Sequence, residues 1–423
     1  MKYINSTLFL KNMENSYLSE FKNRQYFNQC TNFEELEHLM DKKKIRAYIG
    51  FDCTAPSLHV GSLLQIMCLR LLQKHGHQPI VLLGGGTTRI GDPSGKEETR
   101  KILSEKQIEI NIKNIKKVFK IYLKTNNSKL KPIFVNNYKW LKKLNYIKFL
   151  REIGKHFTVN KMLSFESVKS RLEREQSLSY MEFNYMILQA YDFLELNKSK
   201  NCIMQVGGSD QWGNIVNGVE LIKRYSSKQV FGLTTPLITL ASGSKMGKTE
   251  KGAVWLDKKL LSAYDYWQFW RNTDDRDVIK FLKMFTDLSL EKIENIKTKE
   301  INFLKILLAN ETTSMLHGAK AARQAEKTAK NTFGNKSIGE ELPSVSISKN
   351  QIEKGINIID IVILSKMLSS KSEVRRMIKN KGIKINNITI DDEKKEISTK
   401  DFKENSMLKL SLGKKKHTVF KIN

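Results

Sequence analysis

The chain has 423 residues, 40% of them hydrophobic, and a formal net charge of +29. This length leaves room for two or three domains with a substantial core, and no apolar run approaches membrane-spanning length, which excludes a transmembrane protein. The charge predicts a polyanionic partner, most simply nucleic acid, although a lysine-rich genome would also raise it.

The four cysteines, Cys30, Cys53, Cys68 and Cys202, include no C-x-x-C pair. The sequence therefore indicates neither a zinc site nor a disulfide framework, and unpaired cysteines fit a reducing compartment. The N-terminus lacks the apolar core of a signal peptide, and acidic residues such as Glu14 and Glu20 count against an organellar presequence without excluding one. We expect a cytoplasmic protein with no membrane association.

The N-terminal part of the chain predicts a parallel sheet. Residues 1–45 have the apolar spacing of an amphipathic helix, 47–51 predict a short strand, 63–74 a helix, and 79–83 a fully apolar strand that leads into Gly84. A strand, a turn, a helix and a second strand in this order are typical of a βαβ unit.

The remaining elements predict further domains. Residues 100–200 are mostly helical and rich in lysine, 202–206 predict another strand, and 259–330 are helical. Residues 331–350 lose periodicity and gain Gly, Ser and Pro, which is typical of a linker. A small basic module follows, with a predicted helix inside 369–382 that has a Ser start and a Gly stop, and predicted strands at 383–385 and 407–412.

Two short motifs could together bind a polyphosphate. The turn Leu58-His59-Val60-Gly61-Ser62 opens a predicted helix, so that His59, Ser62 and free backbone N–H groups can face one anion. Far along the chain, Lys245-Met246-Gly247-Lys248-Thr249 places two lysines in a Gly/Ser-rich loop that can close over a triphosphate. Alone, the first motif could be a capping turn and the second a solvated charge cluster.

A third pattern predicts a polar pocket. Tyr185, Gln189 and Asp192 fall at positions i, i+4 and i+7, so one face of a helix presents all three side chains. The alternative is a polar stripe on an exposed helix, against which the apolar neighbours at 186–188 argue. The run from Gly91 to Lys96 is not a Walker A motif, because it is one residue short and no Ser or Thr follows the lysine.

Four segments together resemble the bacterial-type tyrosyl-tRNA synthetases, a family of class I aminoacyl-tRNA synthetases. They are residues 48–62, 90–96, 181–192 and 205–214, and the resemblance runs from about residue 20 to the C-terminus. It implies an α/β fold with a doubly wound, Rossmann-like parallel-sheet catalytic domain over 1–258. That domain would have an N-terminal helical segment and a helical insertion at about 100–200 that pairs two subunits.

The resemblance also implies three further segments. Residues 259–335 would form a helical anticodon-binding domain, 336–350 a linker, and 351–423 a small α+β RNA-binding domain of the kind also found in a ribosomal protein. In that last domain, basic residues would contact backbone phosphates; they are Lys371, Arg375, Arg376, Lys379, Lys381 and Lys384. A solvated helix in a lysine-rich protein is the alternative.

The family's site residues carry over to matching positions of this chain. The residues implied to bind tyrosine are Tyr48 and Asp192 at its phenolic OH and Asp92, Tyr185 and Gln189 at its ammonium group. The residues implied to line the ATP side are Gly50, Asp52, Thr54, His59, Gly61, Ser62, Gly207, Gly208, Asp210 and Gln211. The residues implied to hold the pyrophosphate are Lys245, Lys248 and Thr249.

The implied activity is that of a tyrosine–tRNA ligase, which forms tyrosyl-adenylate from L-tyrosine and ATP and then charges tRNA(Tyr). Mg²⁺ would arrive with ATP, so no protein-held metal is expected.

Ser62 replaces the second His of the first motif and cannot carry charge, and Gly247 replaces a Ser and is expected to add loop freedom. Two other functions remain open: an RNA-binding protein without this chemistry, and another nucleotidyl transferase of the same superfamily. A tryptophanyl relative would have a differently built pocket and normally lack the C-terminal module.

Overall fold

The computed structural model describes residues 16–93, 103–243, 246–249, 252–333, 343–353, 355–402, 407–413 and 416–422. The chain divides into two compact units. The first comprises Met1–Ser262 and Phe269–Leu316, and the second comprises Ala263–Gln268 and His317–Asn423. Within the described ranges, no helix combines the length and apolar character needed to cross a bilayer.

A six-stranded sheet with the order β1-β6-β5-β2-β3-β4 is the centre of the first unit. Its strands are β1 (Gln29–Cys30), β2 (Arg46–Asp52), β3 (Gln78–Gly84), β4 (Ile133–Asn136), β5 (Cys202–Gly208) and β6 (Phe231–Thr235). All pairs are parallel except that of β1 with β6. The chain builds outward from β2 to β4 and then returns to place β5 beside β2, so the order reverses between β2 and β5. In open α/β sheets, ligands bind at such a reversal.

Helices connect these strands. Those up to β5 are α1 (Tyr17–Asn23), α2 (Phe33–Lys42), α3 (Leu63–Lys74), α4 (Glu105–Tyr122), α5 (Tyr138–Leu141), α6 (Tyr146–Glu152), α7 (Val159–Leu163), α8 (Glu166–Glu173), α9 (Tyr180–Phe183) and α10 (Tyr185–Lys200). The helix α11 (Trp212–Ser226) joins β5 to β6, and a two-stranded hairpin follows, with β7 (Lys248–Thr249) and β8 (Gly252–Ala253). The predicted parallel sheet and the helix over 63–74 are confirmed.

Two predictions in this unit are wrong in detail. Residues 1–15 lie outside the described part, and the rest of the predicted N-terminal helix is split into α1 and α2, with β1 between them. Gln25 has a positive φ of 63°, and the Asn32 side chain caps α2, so the chain cannot continue as one helix. The mostly helical region 100–200 also contains β4, which pairs with β3 at the edge of the sheet.

The helices after residue 259 match the prediction that this region is helical. They are α12 (Ala263–Arg271), α13 (Val278–Phe285), α14 (Leu290–Ile296), α15 (Ile301–His317) and α16 (Ala319–Phe333). The predicted linker lies partly outside the described residues. Its C-terminal part contains β9 (Ser344–Ile347) and the start of α17 (Lys349–Glu353), so ordered structure resumes earlier than expected.

A five-stranded sheet with the order β12-β11-β14-β15-β9 forms the C-terminal part of the second unit. Its further elements are β10 (Ile356–Asn357), α18 (Ile358–Leu364), α19 (Lys371–Lys379), β11 (Ile383–Ile385), β12 (Ile388–Ile390), β13 (Glu396–Ile397), β14 (Met407–Leu412) and β15 (Lys416–Ile422). Both predicted strands are confirmed with the same bounds. The Ser370 hydroxyl accepts from the Glu373 backbone N–H and starts α19, which ends at Lys379.

Candidate active site

A cavity of about 300 Å³ lies in the first unit at the carboxyl ends of β2 and β5, where the strand order reverses. Most of the predicted site residues line this one cavity. They are Tyr48, Gly50, Asp52, Gly61, Ser62, Asp92, Tyr185, Gln189, Asp192, Gly207, Gly208, Asp210 and Gln211. The structure therefore brings together residues that lie more than 160 positions apart in the sequence.

The strand β2 and the helix α10 line the cavity in antiparallel directions. Alternate residues of a strand share a face, so Tyr48 and Asp52 lie on the same side, about 13 Å apart. On α10, the order is reversed: the Tyr185 hydroxyl donates to the Asp52 Oδ2 at 3.1 Å, whereas Asp192 lies near Tyr48 and raises its pKa. The cavity thus has a Tyr48/Asp192 end and an Asp52/Tyr185 end.

The carboxyl group of Asp192 is buried, with 1% of the residue exposed, and accepts two hydrogen bonds. Asn137 Nδ2 donates to its Oδ2 at 2.8 Å, and Trp140 Nε1 donates to its Oδ1 at 2.7 Å. Burial raises the pKa of Asp192 to about 7, against the lowering effect of these two donors. The site therefore holds a carboxyl that titrates near neutral pH.

The buried hydroxyl of Tyr48 has no hydrogen-bond partner among the described residues. Leaving a buried hydroxyl unpaired is costly, so a ligand that brings a polar group to this end of the cavity would relieve that cost. Burial is also the main reason why the pKa of Tyr48 is raised well above its ordinary value, which keeps the hydroxyl protonated.

Midway along the cavity, three amides and a carboxylate form a connected polar group. Gln211 Nε2 donates to Asp92 Oδ2 at 3.0 Å, and Asn214 Nδ2 donates to both Gln189 Oε1 and Gln211 Oε1 at 3.1 Å. The sequence predicted Asp92 and Gln189 for one role and Gln211 for another, and the structure joins them through Asn214. A carboxylate and amide oxygens held in this way can accept hydrogen bonds from a cation.

Asn137, Trp140 and Thr87 were missed by the sequence analysis. Asn137 donates to Thr87 Oγ1 at 3.0 Å as well as to Asp192, and the Thr87 hydroxyl donates to Asp52 Oδ1 at 2.7 Å. This chain of hydrogen bonds connects the two ends of the cavity. The available signal was the apolar run Ile133-Phe134-Val135, which is typical of a strand and is followed by polar residues at the strand's carboxyl end.

The first sequence motif forms a turn of 3₁₀ helix, Val60–Ser62, that leads directly into α3. His59 Nδ1 accepts from the Gly61 backbone N–H at 3.0 Å, so the imidazole caps this turn. Neither His59 nor Thr54 lines the cavity, whereas Gly61 and Ser62 do. The Ser62 hydroxyl makes no capping bond to the helix, which leaves it to face the cavity.

The backbone of the second motif packs directly on the first motif. Met246 N donates to Ile238 O at 3.2 Å, and Val254 N donates to Gly247 O at 3.2 Å. A Cβ atom at Gly247, whose φ is +120°, would lie 2.7 Å from His59 Nδ1. A second reason for glycine at position 247, besides the expected loop freedom, is that two backbone segments approach closely there.

The two lysines of that motif are only partly covered by the structure. Lys245 lies outside the described residues, and of Lys248 and Thr249 the structure describes the backbone, which forms β7. The predicted RNA-binding residues all lie in the second unit and are exposed; they are Lys371, Arg375, Arg376, Lys379, Lys381 and Lys384. Two of them form ion pairs, Lys371 with Asp360 at 2.8 Å and Arg375 with Glu393 at 3.5 Å.

Comparisons with known proteins match nearly the whole chain. The family model of tRNA synthetases class I (W and Y) matches residues 40–334, and the tyrosine–tRNA ligase SYY-like C-terminal domain matches 335–420. A tyrosine–tRNA ligase of Pelagibacter ubique is 71% identical over 95% of this chain and 98% of its own. The corresponding protein of Xanthobacter autotrophicus is 51% identical over 96% of this chain and 97% of its own.

Among solved structures, a C-terminally truncated mitochondrial tyrosyl-tRNA synthetase of Aspergillus nidulans superposes with a TM-score of 0.69. It is 29% identical and covers 75% of this chain and 94% of its own. The class I family model includes all of the residues that line the cavity.

Proposed function

The chain belongs to the tyrosine–tRNA ligase family of class I tRNA synthetases and joins tyrosine to transfer RNA, and we propose that the cavity residues carry this reaction through two steps. In the first, the tyrosine carboxylate attacks the α-phosphorus of ATP, and pyrophosphate leaves. In the second, a hydroxyl of the 3′-terminal ribose of tRNA(Tyr) attacks the carbonyl carbon, and AMP leaves. Neither step needs a nucleophile from the protein, so catalysis comes from positioning and charge stabilisation.

The tyrosine side chain would occupy the Tyr48/Asp192 end of the cavity. Its phenolic OH would donate to the Asp192 carboxylate and accept from the Tyr48 hydroxyl, which lacks a partner among the described residues. Asp92, Gln189 and Tyr185 would hold the ammonium group, since the first two present oxygen acceptors about midway along the cavity. Tyrosine would then point its carboxylate at the Asp52 end.

ATP would bind at the Asp52 end of the cavity. The N-terminus of α3 lies at this end, next to Gly61 and Ser62, and the positive end of a helix dipole favours phosphate groups. Gly50, Gly207 and Gly208 leave room for the nucleotide backbone, with Asp52, Asp210 and Gln211 as polar contacts. Thr54 and His59 lie outside the lining of the cavity and would act from beside it, His59 from the turn that it caps. Lys245, Lys248 and Thr249 would hold the pyrophosphate.

Mg²⁺ would enter as the complex with ATP. In that complex the phosphates and water molecules hold the ion. We place the reaction in the cytoplasm, since all four cysteines are free and this fits a reducing compartment.

The observation that carries this proposal is the antiparallel arrangement of β2 and α10, which puts Tyr48 and Asp192 at one end of a single cavity and Asp52 and Tyr185 at the other. The test is ATP–pyrophosphate exchange without RNA, with each of the twenty amino acids in turn. We expect exchange with tyrosine and, at rates lower by roughly 10⁴- to 10⁵-fold, with phenylalanine, a ratio already known for tyrosyl-tRNA synthetases. Exchange with no amino acid would favour the RNA-binding alternative.

We further propose that two subunits pair through the insertion between β4 and β5. The exposed apolar residues of the described chain concentrate there: Tyr146, Ile147, Val159 and Tyr180 are each more than half exposed, and the two tyrosine hydroxyls lie 2.9 Å apart. An apolar patch of this kind marks a protein interface.

We expect Ile147→Asp to shift the protein from dimer to monomer, as measured by sedimentation over a concentration series. A charge in the interface should raise the dimer dissociation constant at least about 30-fold, which corresponds to about 2 kcal/mol for a residue central to an interface. Ile388→Asp is the matched control, because Ile388 is equally exposed but lies in the C-terminal sheet. Equal dimerisation of the Ile147 variant and the wild type would contradict the proposal.

The second unit would bind transfer RNA. Its six exposed basic residues on and after α19 would contact backbone phosphates, with the helices of residues 259–335 near the anticodon arm.

A further inference from the structure

Five exposed lysines form one line along the outer face of α4, which we call the lysine stripe. They are Lys106, Lys113, Lys117, Lys120 and, just after the helix, Lys124. At 3.6 residues per turn, the four lysines on the helix fall within an arc of about 60°. The stripe is roughly 27 Å long, at 1.5 Å of rise per residue.

The opposite face of α4 fixes this orientation. Ile108, Ile115 and Phe119 are buried, and the Phe119 ring packs 4.7 Å from that of Phe51. The Asn111 side chain, which is also buried, donates to the Cys53 carbonyl at 2.8 Å. Because the helix is anchored on the sheet along its length, the stripe cannot turn inward, and its buried face is not available to insert into a bilayer.

Within the described part of the chain, none of the five lysines lies within ion-pairing distance of a carboxylate. Elsewhere, exposed helical lysines do have such partners: Lys148 lies 3.9 Å from Glu152, and Lys169 lies 3.7 Å from Glu173. On α4, Glu105 is near Arg89, and Glu109, which lies between Lys106 and Lys113, is not within ion-pairing distance of either among the described residues. Lysines three and four positions apart on a helix repel one another, so the stripe keeps an unfavourable arrangement that a polyanion would relieve.

The helix α4, which carries the stripe, begins close to the cavity. Asn111 contacts the residue directly after Asp52, and Arg89, which lies two positions after the cavity residue Thr87, is 3.7 Å from Glu105. A polyanion whose end enters the cavity can therefore continue along the stripe. We propose that the lysine stripe binds the phosphate backbone of the transfer RNA whose 3′ end reaches the cavity, an inference that rests on the proposed function.

The test compares Lys113→Gln/Lys117→Gln/Lys120→Gln with the control Lys42→Gln/Lys43→Gln/Lys228→Gln. The control removes the same charge from exposed lysines near the opposite edge of the sheet. Binding of a labelled tRNA(Tyr) transcript is measured by fluorescence anisotropy between 50 and 300 mM KCl. Removing three phosphate contacts should raise the dissociation constant at least about tenfold at 100 mM KCl and reduce the slope against log salt by about 2 to 3. The control should stay within about twofold of the wild type.

Tyrosine-dependent ATP–pyrophosphate exchange, measured without RNA, distinguishes a failure of the proposed function from a failure of the stripe proposal. If the wild type shows no exchange, the proposed function fails. If exchange is normal in the wild type and in both variants, and the two variants bind the transcript equally well, the stripe proposal is wrong and the proposed function stands. The same variants are tested on vesicles of phosphatidylcholine with phosphatidylserine, and a stripe variant that loses vesicle binding but keeps RNA binding would also overturn the proposal.

Discussion

Replacing Asp192 with asparagine is expected to lower kcat/KM for tyrosine by roughly 10²- to 10³-fold, while KM for ATP changes less than about threefold. An asparagine offers one oxygen where the carboxylate offers two, and both carboxylate oxygens already accept from buried or half-buried donors. The Trp140 ring N–H cannot become an acceptor. Asn137 cannot flip either, because its Oδ1 accepts from the Gly86 backbone N–H at 2.7 Å.

The amide NH₂ of the new asparagine would therefore face one of these two N–H donors, Asn137 or Trp140. The phenol of the substrate would also lose its charged acceptor. Breaking such a buried charged interaction costs about 3 to 5 kcal/mol. The discrimination between tyrosine and phenylalanine should fall together with kcat/KM for tyrosine, because phenylalanine has no hydroxyl to donate to the lost acceptor. Glu195→Gln is the matched control, with the same loss of charge one turn further along α10. Unchanged discrimination in the Asp192 variant would exclude the pocket assignment.

The same carboxyl group should make tyrosine binding pH-dependent. In the free protein its pKa is raised to about 7, mainly by burial, so a growing fraction of molecules carries the proton as the pH falls below 7. The phenol of tyrosine donates to the ionised Asp192 carboxylate and not to its protonated form. Affinity for tyrosine should therefore weaken by up to about tenfold for each pH unit below 7. Equilibrium binding between pH 5.5 and 8 measures this, and the Asp192→Asn variant should give a flat profile.

Residue spacing predicted the side of the pocket that α10 forms, but not the side that Asn137 and Trp140 form. Tyr185, Gln189 and Asp192 could be assigned to one face because helical periodicity is local, and the structure places all three on the cavity. Asn137 and Trp140 contact Asp192 across 55 and 52 positions. Such contacts depend on the order of strands in the sheet. The sequence analysis did not predict β4, because it lies in a region whose composition favours helices.

The fold was predicted best where a single pattern dominates. The helix Leu63–Lys74 and the strand Ile383–Ile385 have the predicted bounds because uninterrupted apolar spacing fixes them. The N-terminal helix was wrong because one capping side chain, Asn32, and one left-handed residue, Gln25, outweigh amphipathic spacing. The early start of β9 depends on pairing with β15, 75 residues further on, which local composition does not reveal.

Replacing Gly247 with alanine is expected to reduce the rate of tyrosyl-adenylate formation roughly 100-fold, with KM for tyrosine within about threefold of the wild type. The new Cβ atom would lie 2.7 Å from His59 Nδ1 and 3.1 Å from the Gly61 backbone N, so the second motif could not keep its place on the first. If Lys245 and Lys248 hold the pyrophosphate as proposed, displacing the motif would remove charge stabilisation worth about 2.7 kcal/mol. The Tyr48/Asp192 end is untouched, so this kinetic pattern is the reverse of that expected for Asp192→Asn.

Gly243→Ala provides the matched control, because Gly243 lies in the same loop region with a φ of +82°, and no described residue lies within 4 Å of the added atom. It carries the conformational cost of a left-handed residue without the clash. Single-turnover measurement of adenylate formation, with melting temperatures to exclude unfolding, separates the two effects. If both variants slow equally, loop flexibility rather than close packing explains the glycine. If only the Gly247 variant slows, the two motifs act as one unit because their backbones touch.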